Sequence, residues 1–266
     1  MSDEKELREH LREPRKRVIR IGLAIIIVSA VSLTMGVKEV EINGLNIWIL
    51  YPQPFNNVAI QLTSVMKEDL VPSQVELIQI APGQAFFAQF HIAVLLGIIF
   101  GMPVIARELA AFIAPALHEN EKGTIGKITM PIIGLFGTGC LFAYFVAIPF
   151  IVNLLYYYGA SIGVITFWNI TEFISFTMQF MLAFGLSFQL PVVMWAVTMA
   201  GLVEPKFWRS NLRYAVFILI FFGAIITPDG SGVTMWFISL PMLALYVLGM
   251  FFVESKVKKS PEVRPS

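Results

Sequence analysis

Charged residues punctuate this chain instead of pervading it. Six runs carry no Asp, Glu, Lys or Arg: Ile21–Val37, Pro82–Ala106, Ile128–Thr171, Phe173–Val203, Tyr214–Pro228 and Gly230–Val253. A helix crossing hydrocarbon needs about 20 mostly apolar residues at about 1.5 Å each. The runs therefore predict six transmembrane helices, at about 18–36, 84–106, 128–157, 172–201, 213–227 and 232–252. The third run exceeds one crossing, so Tyr156–Asn169 is expected as an apolar loop at the interface, where Tyr and Trp concentrate. The fifth run makes only about 22 Å of helix against a core of about 30 Å, which implies local bilayer thinning or shelter by neighbouring helices.

The connection 37–83 also has a pattern. From Phe55, apolar residues recur at Val58, Ala59, Leu62, Val65 and Met66, a helical period. With Trp48 and Tyr51 nearby, this predicts a structured cap over residues 37–83 with aromatic packing at the interface. The prolines Pro103, Pro131, Pro149, Pro191 and Pro241 recur across the spans and predict kinked helices in a concave bundle. Residues 1–17 are expected to be an amphipathic segment, and 253–266 a disordered tail. The first span is expected to be retained, because its apolar stretch and charged head both exceed those of a cleaved signal.

Cations set the orientation. Lys5, Arg8, Arg12, Arg15, Lys16, Arg17 and Arg20 precede the first span, and Lys256, Lys258, Lys259 and Arg264 follow the last. Arg107, Lys122 and Lys127 lie in one connection on the same side, and Lys206, Arg209 and Arg213 in another. Of 19 basic residues only Lys38 and Lys67 fall opposite. Basic residues are retained in the cytoplasm, so both termini are expected there, with Asn169-Ile-Thr171, a glycosylation sequon, facing outward.

Composition narrows function. The chain is 57% hydrophobic and 14% charged, with mean hydropathy +0.75; soluble domains carry about 25% charge. This describes a polytopic all-α membrane protein. Near-balanced charge, 19 basic against 18 acidic residues, argues against a nucleic-acid partner. A single cysteine and three scattered histidines offer neither a disulfide framework nor a metal site. There is no P-loop, no Ser/His/Asp arrangement and no pair of intramembrane carboxylates, so no enzyme and no cofactor are expected.

Polar groups in hydrocarbon are costly and each is a candidate site. His91 and Asn153 read as interhelical hydrogen bonding. Gln189 stands out, because Pro191 follows it and frees a backbone carbonyl. Gly97-Ile-Ile-Phe-Gly101 reads as a packing face. On the cytoplasmic side two acidic spots, Glu13 and Glu119/Glu121, interrupt a basic background; by charge alone they read as solvated groups.

An ordered set of motifs changes that reading. Phe112-Ile-Ala-Pro-Ala-Leu-x-x-x-Glu121-Lys resembles the second-to-third-helix loop of the TatC family, the polytopic subunit of the twin-arginine protein translocase. His10-Leu-x-Glu13-x-Arg15-x-Arg17 is similar to its amino-terminal signature. Pro103-Val-Ile, Phe142-Ala-Tyr144-Phe-x-x-x-Pro149, Ala183-Phe-Gly-x-Ser-Phe-x-x-Pro191 and Ile226-Thr-Pro228-Asp229 follow in order, spanning residues 7–253.

The resemblance implies six helices with both termini cytoplasmic and short fifth and sixth helices beside a concave, glove-like face. It implies a receptor for twin-arginine signal peptides on folded cargo. That receptor recruits single-span TatA/TatB-type subunits for export driven by the proton-motive force, and it self-associates. Glu121 and Glu13 would contact the arginines, whose planar forks suit carboxylates as lysine does not. Arg15, Arg17 and Phe112 would shape that site, and Gln189, Tyr144 and Asp229 would be polar groups in or beside the partner-helix face. Two departures from the family pattern stand out: Pro14 replaces a usual leucine, and Gln189 stands where many members carry glutamate. Glutamine cannot ionise, so proton binding at that position is excluded. The rival reading is a secondary transporter of a small solute, which would need a mid-membrane site and commonly internal repeats. No clear repeat relates residues 18–106 to 128–252.

Overall fold

Five described helices are long and apolar enough to cross a membrane: Glu13–Thr34, Gln84–Ile113, Ile128–Ser161, Ile170–Met199 and Gly232–Ser255; a shorter apolar helix spans Leu212–Ile226. The computed structural model describes residues 2–42, 45–113, 124–227 and 232–257. Two compact units divide the chain, Met1–Glu108 with Val152–Met178, and Leu109–Ile151 with Gln179–Ser266.

In the first unit, helix α1 runs from Ser2 to Thr34 with Pro14 inside it. Strand β1 (Met35–Ile42) follows without a linker and pairs antiparallel with β2 (Leu45–Pro52), Met35 opposite Pro52 and Glu39 opposite Trp48. A short 3₁₀ turn, Pro54–Asn56, leads into α2 (Val58–Leu70). The apolar period places Ala59, Met66 and Leu70 in the interior, while Phe55, the first residue of that period, precedes the helix and is fully open to its surroundings. Strand β3 (Glu76–Ile78) pairs in parallel with β4 (Phe167–Asn169).

Asn57 organises this region. Its Oδ1 accepts from Ile60 N at 2.9 Å and caps α2. Its Nδ2 donates to the carbonyls of Leu33 and Pro54, both at 2.9 Å, the first a group left open at the end of α1. Gln61 behaves like a strand partner, bonding Val37 N at 3.3 Å and Val37 O at 2.9 Å. Helix α3 (Gln84–Ile113) continues past residue 106, the expected end of the second span. Gly97 lies so close to α1 that an added methyl would overlap Ser29 Oγ, as expected of a small-residue packing face.

The third span is α4 (Thr124–Phe142), a π turn (Ala143–Ala147) and α5 (Ile148–Ser161). The expected loop from Tyr156 is corrected here, since the helix continues through Tyr156–Tyr158 to Ser161. The helix ends where Gly163 takes the left-handed conformation, at φ 74°. Val164 N bonding Gly159 O at 3.1 Å closes that cap.

The second unit packs on close backbone approach. A methyl on Gly139 of α4 would stand 2.5 Å from Phe184 O on α6 (Ile170–Ser187), and Phe142 meets Phe184 at 5.3 Å between ring centroids. Helix α7 (Leu190–Met199) continues the fourth span after a break. Of the two helices expected to be short, α9 (Leu212–Ile226) has 15 residues, whereas α10 (Gly232–Val257) has 26 and passes the expected end at 252. Helix α8 (Pro205–Ser210) is tied to α10 by a two-point fork, Arg209 to Glu254 at 2.8 and 2.9 Å, and by Tyr246 Oη donating to Trp208 O at 2.8 Å.

Candidate functional site

Among the described residues, one carboxylate with two arginines joins α1 to α3. Arg20 Nη1 donates to Glu108 Oε1 at 3.1 Å, and Arg17 Nη1 reaches Glu108 Oε2 and the Glu108 carbonyl at 3.5 Å. The Glu108 side chain is 8% exposed, against 25% for Arg17 and 62% for Arg20. Burying a carboxylate is costly unless cations and hydrogen bonds compensate, and two guanidiniums do so here. Arg17 and Arg20 are three residues apart, so one face of α1 presents both.

Glu13 lies four residues before Arg17 on the same helix. Its side chain is exposed and forms no ion pair among the described residues. Arg15 is exposed as well. Helix α1 passes through Pro14 without interruption, so the proline does not break the segment carrying Glu13 and Arg15. Phe112 is exposed on α3. Glu121 and Asp229 lie outside the described residues.

Gln189 occupies the break between α6 and α7. Its backbone caps α7, with Pro191 in the first turn where a missing N–H costs nothing. Its Nε2 donates to Ile132 O at 3.2 Å and Gly185 O at 3.4 Å, tying α4 to α6. Its Oε1 is buried and has no partner among the described residues. His91 Nδ1 on α3 and Ser29 Oγ on α1 share that condition.

Tyr144 lies in the π turn, edge-on to Phe145 at 5.0 Å. Pro149 explains that turn: it has no N–H for the Phe145 carbonyl and its ring would collide with it. The preceding turn widens, and Ile148 N bonds Ala143 O, five residues back. Pro103 sits within α3. Asn169 Oδ1 accepts from Thr171 N at 2.9 Å, and Thr171 Oγ1 donates to Gln84 O at 2.8 Å, so the sequon side chains secure the start of α6.

Sequence reasoning passed over Glu108 and Asn57. Glu108 pairs with residues 88 and 91 positions away, a separation that no local pattern encodes. Its one visible signal is that it lies at the edge of an apolar run beside Arg107.

Five membrane-length apolar helices, with a sixth shorter apolar one, define a polytopic helical membrane protein. The family model for the Sec-independent protein translocase protein (TatC) matches residues 9–241. The chain is 49% identical over 256 residues to the TatC protein of Cenarchaeum symbiosum (strain A), covering 96% of this chain and 97% of that one. It is 30% identical to the TatC protein of Aquifex aeolicus (strain VF5), over 97% of this chain and 98% of the other. A crystal structure of the twin-arginine translocase receptor TatC superposes with a TM-score of 0.76 at 28% identity, covering 92% of this chain and 98% of that one. The chain belongs to the TatC family: it is a multi-pass membrane component of the Sec-independent, twin-arginine protein translocase.

Proposed function

We propose that this chain is the signal-peptide receptor and assembly platform of the translocase. Glu121 and Glu13 accept the guanidiniums of a twin-arginine signal peptide on folded cargo. Arg15, Arg17 and Phe112 shape the surroundings without taking those arginines themselves. The observation that carries this reading is Glu13, an exposed carboxylate that forms no ion pair among the described residues although Arg12, Arg15, Lys16 and Arg17 flank it in sequence. Carboxylates embedded in positive charge attract a bidentate guanidinium pair and disfavour other cationic segments. In this reading six spans place both termini in the cytoplasm, residues 37–83 cap the outer side, and Gln189, Tyr144 and Asp229 serve the partner-helix face. TatA/TatB-type single-span subunits and further copies of the chain assemble on it, and export draws on the proton-motive force.

Photocrosslinking from position 121 to a signal peptide, Arg-Arg compared with Lys-Lys, tests this. The expected result is a crosslink lost with Lys-Lys, and abolished docking in Glu121→Ala. A crosslink indifferent to the arginine pair, or unchanged docking in that variant, overturns the assignment.

A further inference from the structure

Glu13, Arg17 and Arg20 lie at i, i+4 and i+7 on α1, one stripe of the helix. A glutamate four residues before an arginine is in the favourable orientation for a helical ion pair. Glu13 and Arg17 nevertheless form none, because the Arg17 guanidinium is turned to Glu108 on α3. Arg20, a turn further on, reaches the other oxygen of the same carboxylate. One buried acid thus holds two of the chain's own arginines.

We propose that Glu108 is a positioning residue for signal-peptide docking: it sequesters Arg17 so that the Glu13 carboxylate stays open to an arriving arginine. The inference rests on the docking reading above and deepens it. Without Glu108, Arg17 falls back along its own helix onto Glu13 and occupies the site as an internal competitor. Arg20 cannot do so, because seven residues place it about 10 Å from Glu13 along the axis. The cluster of Arg17, Arg20 and Glu108 carries a net charge of plus one, so losing the acid also raises repulsion toward an arriving dication. That second effect is screened by salt, whereas masking is specific to Arg17.

The test uses the full chain in nanodiscs and a fluorescent Arg-Arg signal peptide, with affinity read by anisotropy at low and moderate salt. Glu108→Gln keeps the side chain's shape, and its thermal unfolding is measured alongside. The expected result is docking weakened by about threefold. Adding Arg17→Gln recovers part of that loss, because it removes the competitor and returns the cluster charge. Adding Arg20→Gln instead returns the same charge but leaves Arg17 free, and docking stays weak. Equal recovery in both double variants overturns masking in favour of bulk charge; recovery in neither overturns it in favour of a structural role. Unaltered docking in Glu108→Gln overturns it outright. Glu13→Gln separates the two levels: unchanged docking there removes Glu13 from the arginine site, and this inference with it, while the receptor reading stands or falls with Glu121. Loss in Glu13→Gln with an indifferent Glu108→Gln removes the inference alone.

Discussion

A single buried amide, Asn57, satisfies one helix's first turn and another's last. Its Oδ1 caps α2 while its Nδ2 serves the carbonyls of Leu33 and Pro54. Asn57→Ala removes the cap and strands two acceptors, a cost of about 2–3 kcal/mol, read as a lower unfolding midpoint in detergent. Asn57→Asp keeps the acceptor and loses the donors, so it should fall between alanine and the parent. Gln189 was legible in the sequence because an amide two residues before a proline is conspicuous inside an apolar run. Asn57 and Glu108 were not, because each acts through carbonyls or guanidiniums brought close only by the fold, and Asn57 sits in a stretch where polar residues are ordinary.

Among elements, the helices were legible and their interruptions less so. Charge-free runs located every membrane-length helix, since hydrocarbon tolerates few charges whatever the packing. The hairpin escaped, although Asn43-Gly44 is a strong hairpin signal in sequence. Its strands carry charges in β1 and apolar residues on both faces of β2, without the clean alternation of a half-buried strand. The π turn escaped as well, for it reflects the competition of Pro149 with one carbonyl and not a periodicity. Packing between α4 and α6 depends on Gly139, where no side chain fits against Phe184. Gly139→Val should destabilise the second unit by about 1–3 kcal/mol. Cys140, the chain's one cysteine, reports this directly: it is buried, with Sγ donating to Met181 O at 3.5 Å. Maleimide labelling of Cys140 should be slow in the parent and accelerated in Gly139→Val.

For the whole molecule the governing quantity is the segregation of charge along the chain. Only Lys38 and Lys67 of the 19 basic residues lie in the 37–83 connection. Cations are retained on the cytoplasmic side during insertion, so single cysteines introduced with Cys140 replaced by serine should divide cleanly. Lys67→Cys is expected to label with an impermeant maleimide from outside intact cells, and Lys206→Cys only after permeabilisation; the reverse pattern would invert the proposed topology.

Helix α1 is held at two stations by side chains of its own unit, the Arg17/Arg20 pair on Glu108 and the Leu33 carbonyl on Asn57. Those stations lie about 24 Å apart along the axis, and β1 continues from Thr34 without slack. A rod clamped at two points can neither roll nor slide, so the direction in which Glu13 points is set partly from the far end. Loosening the Asn57 clamp frees that azimuth, about 30 Å away from where the bond was broken.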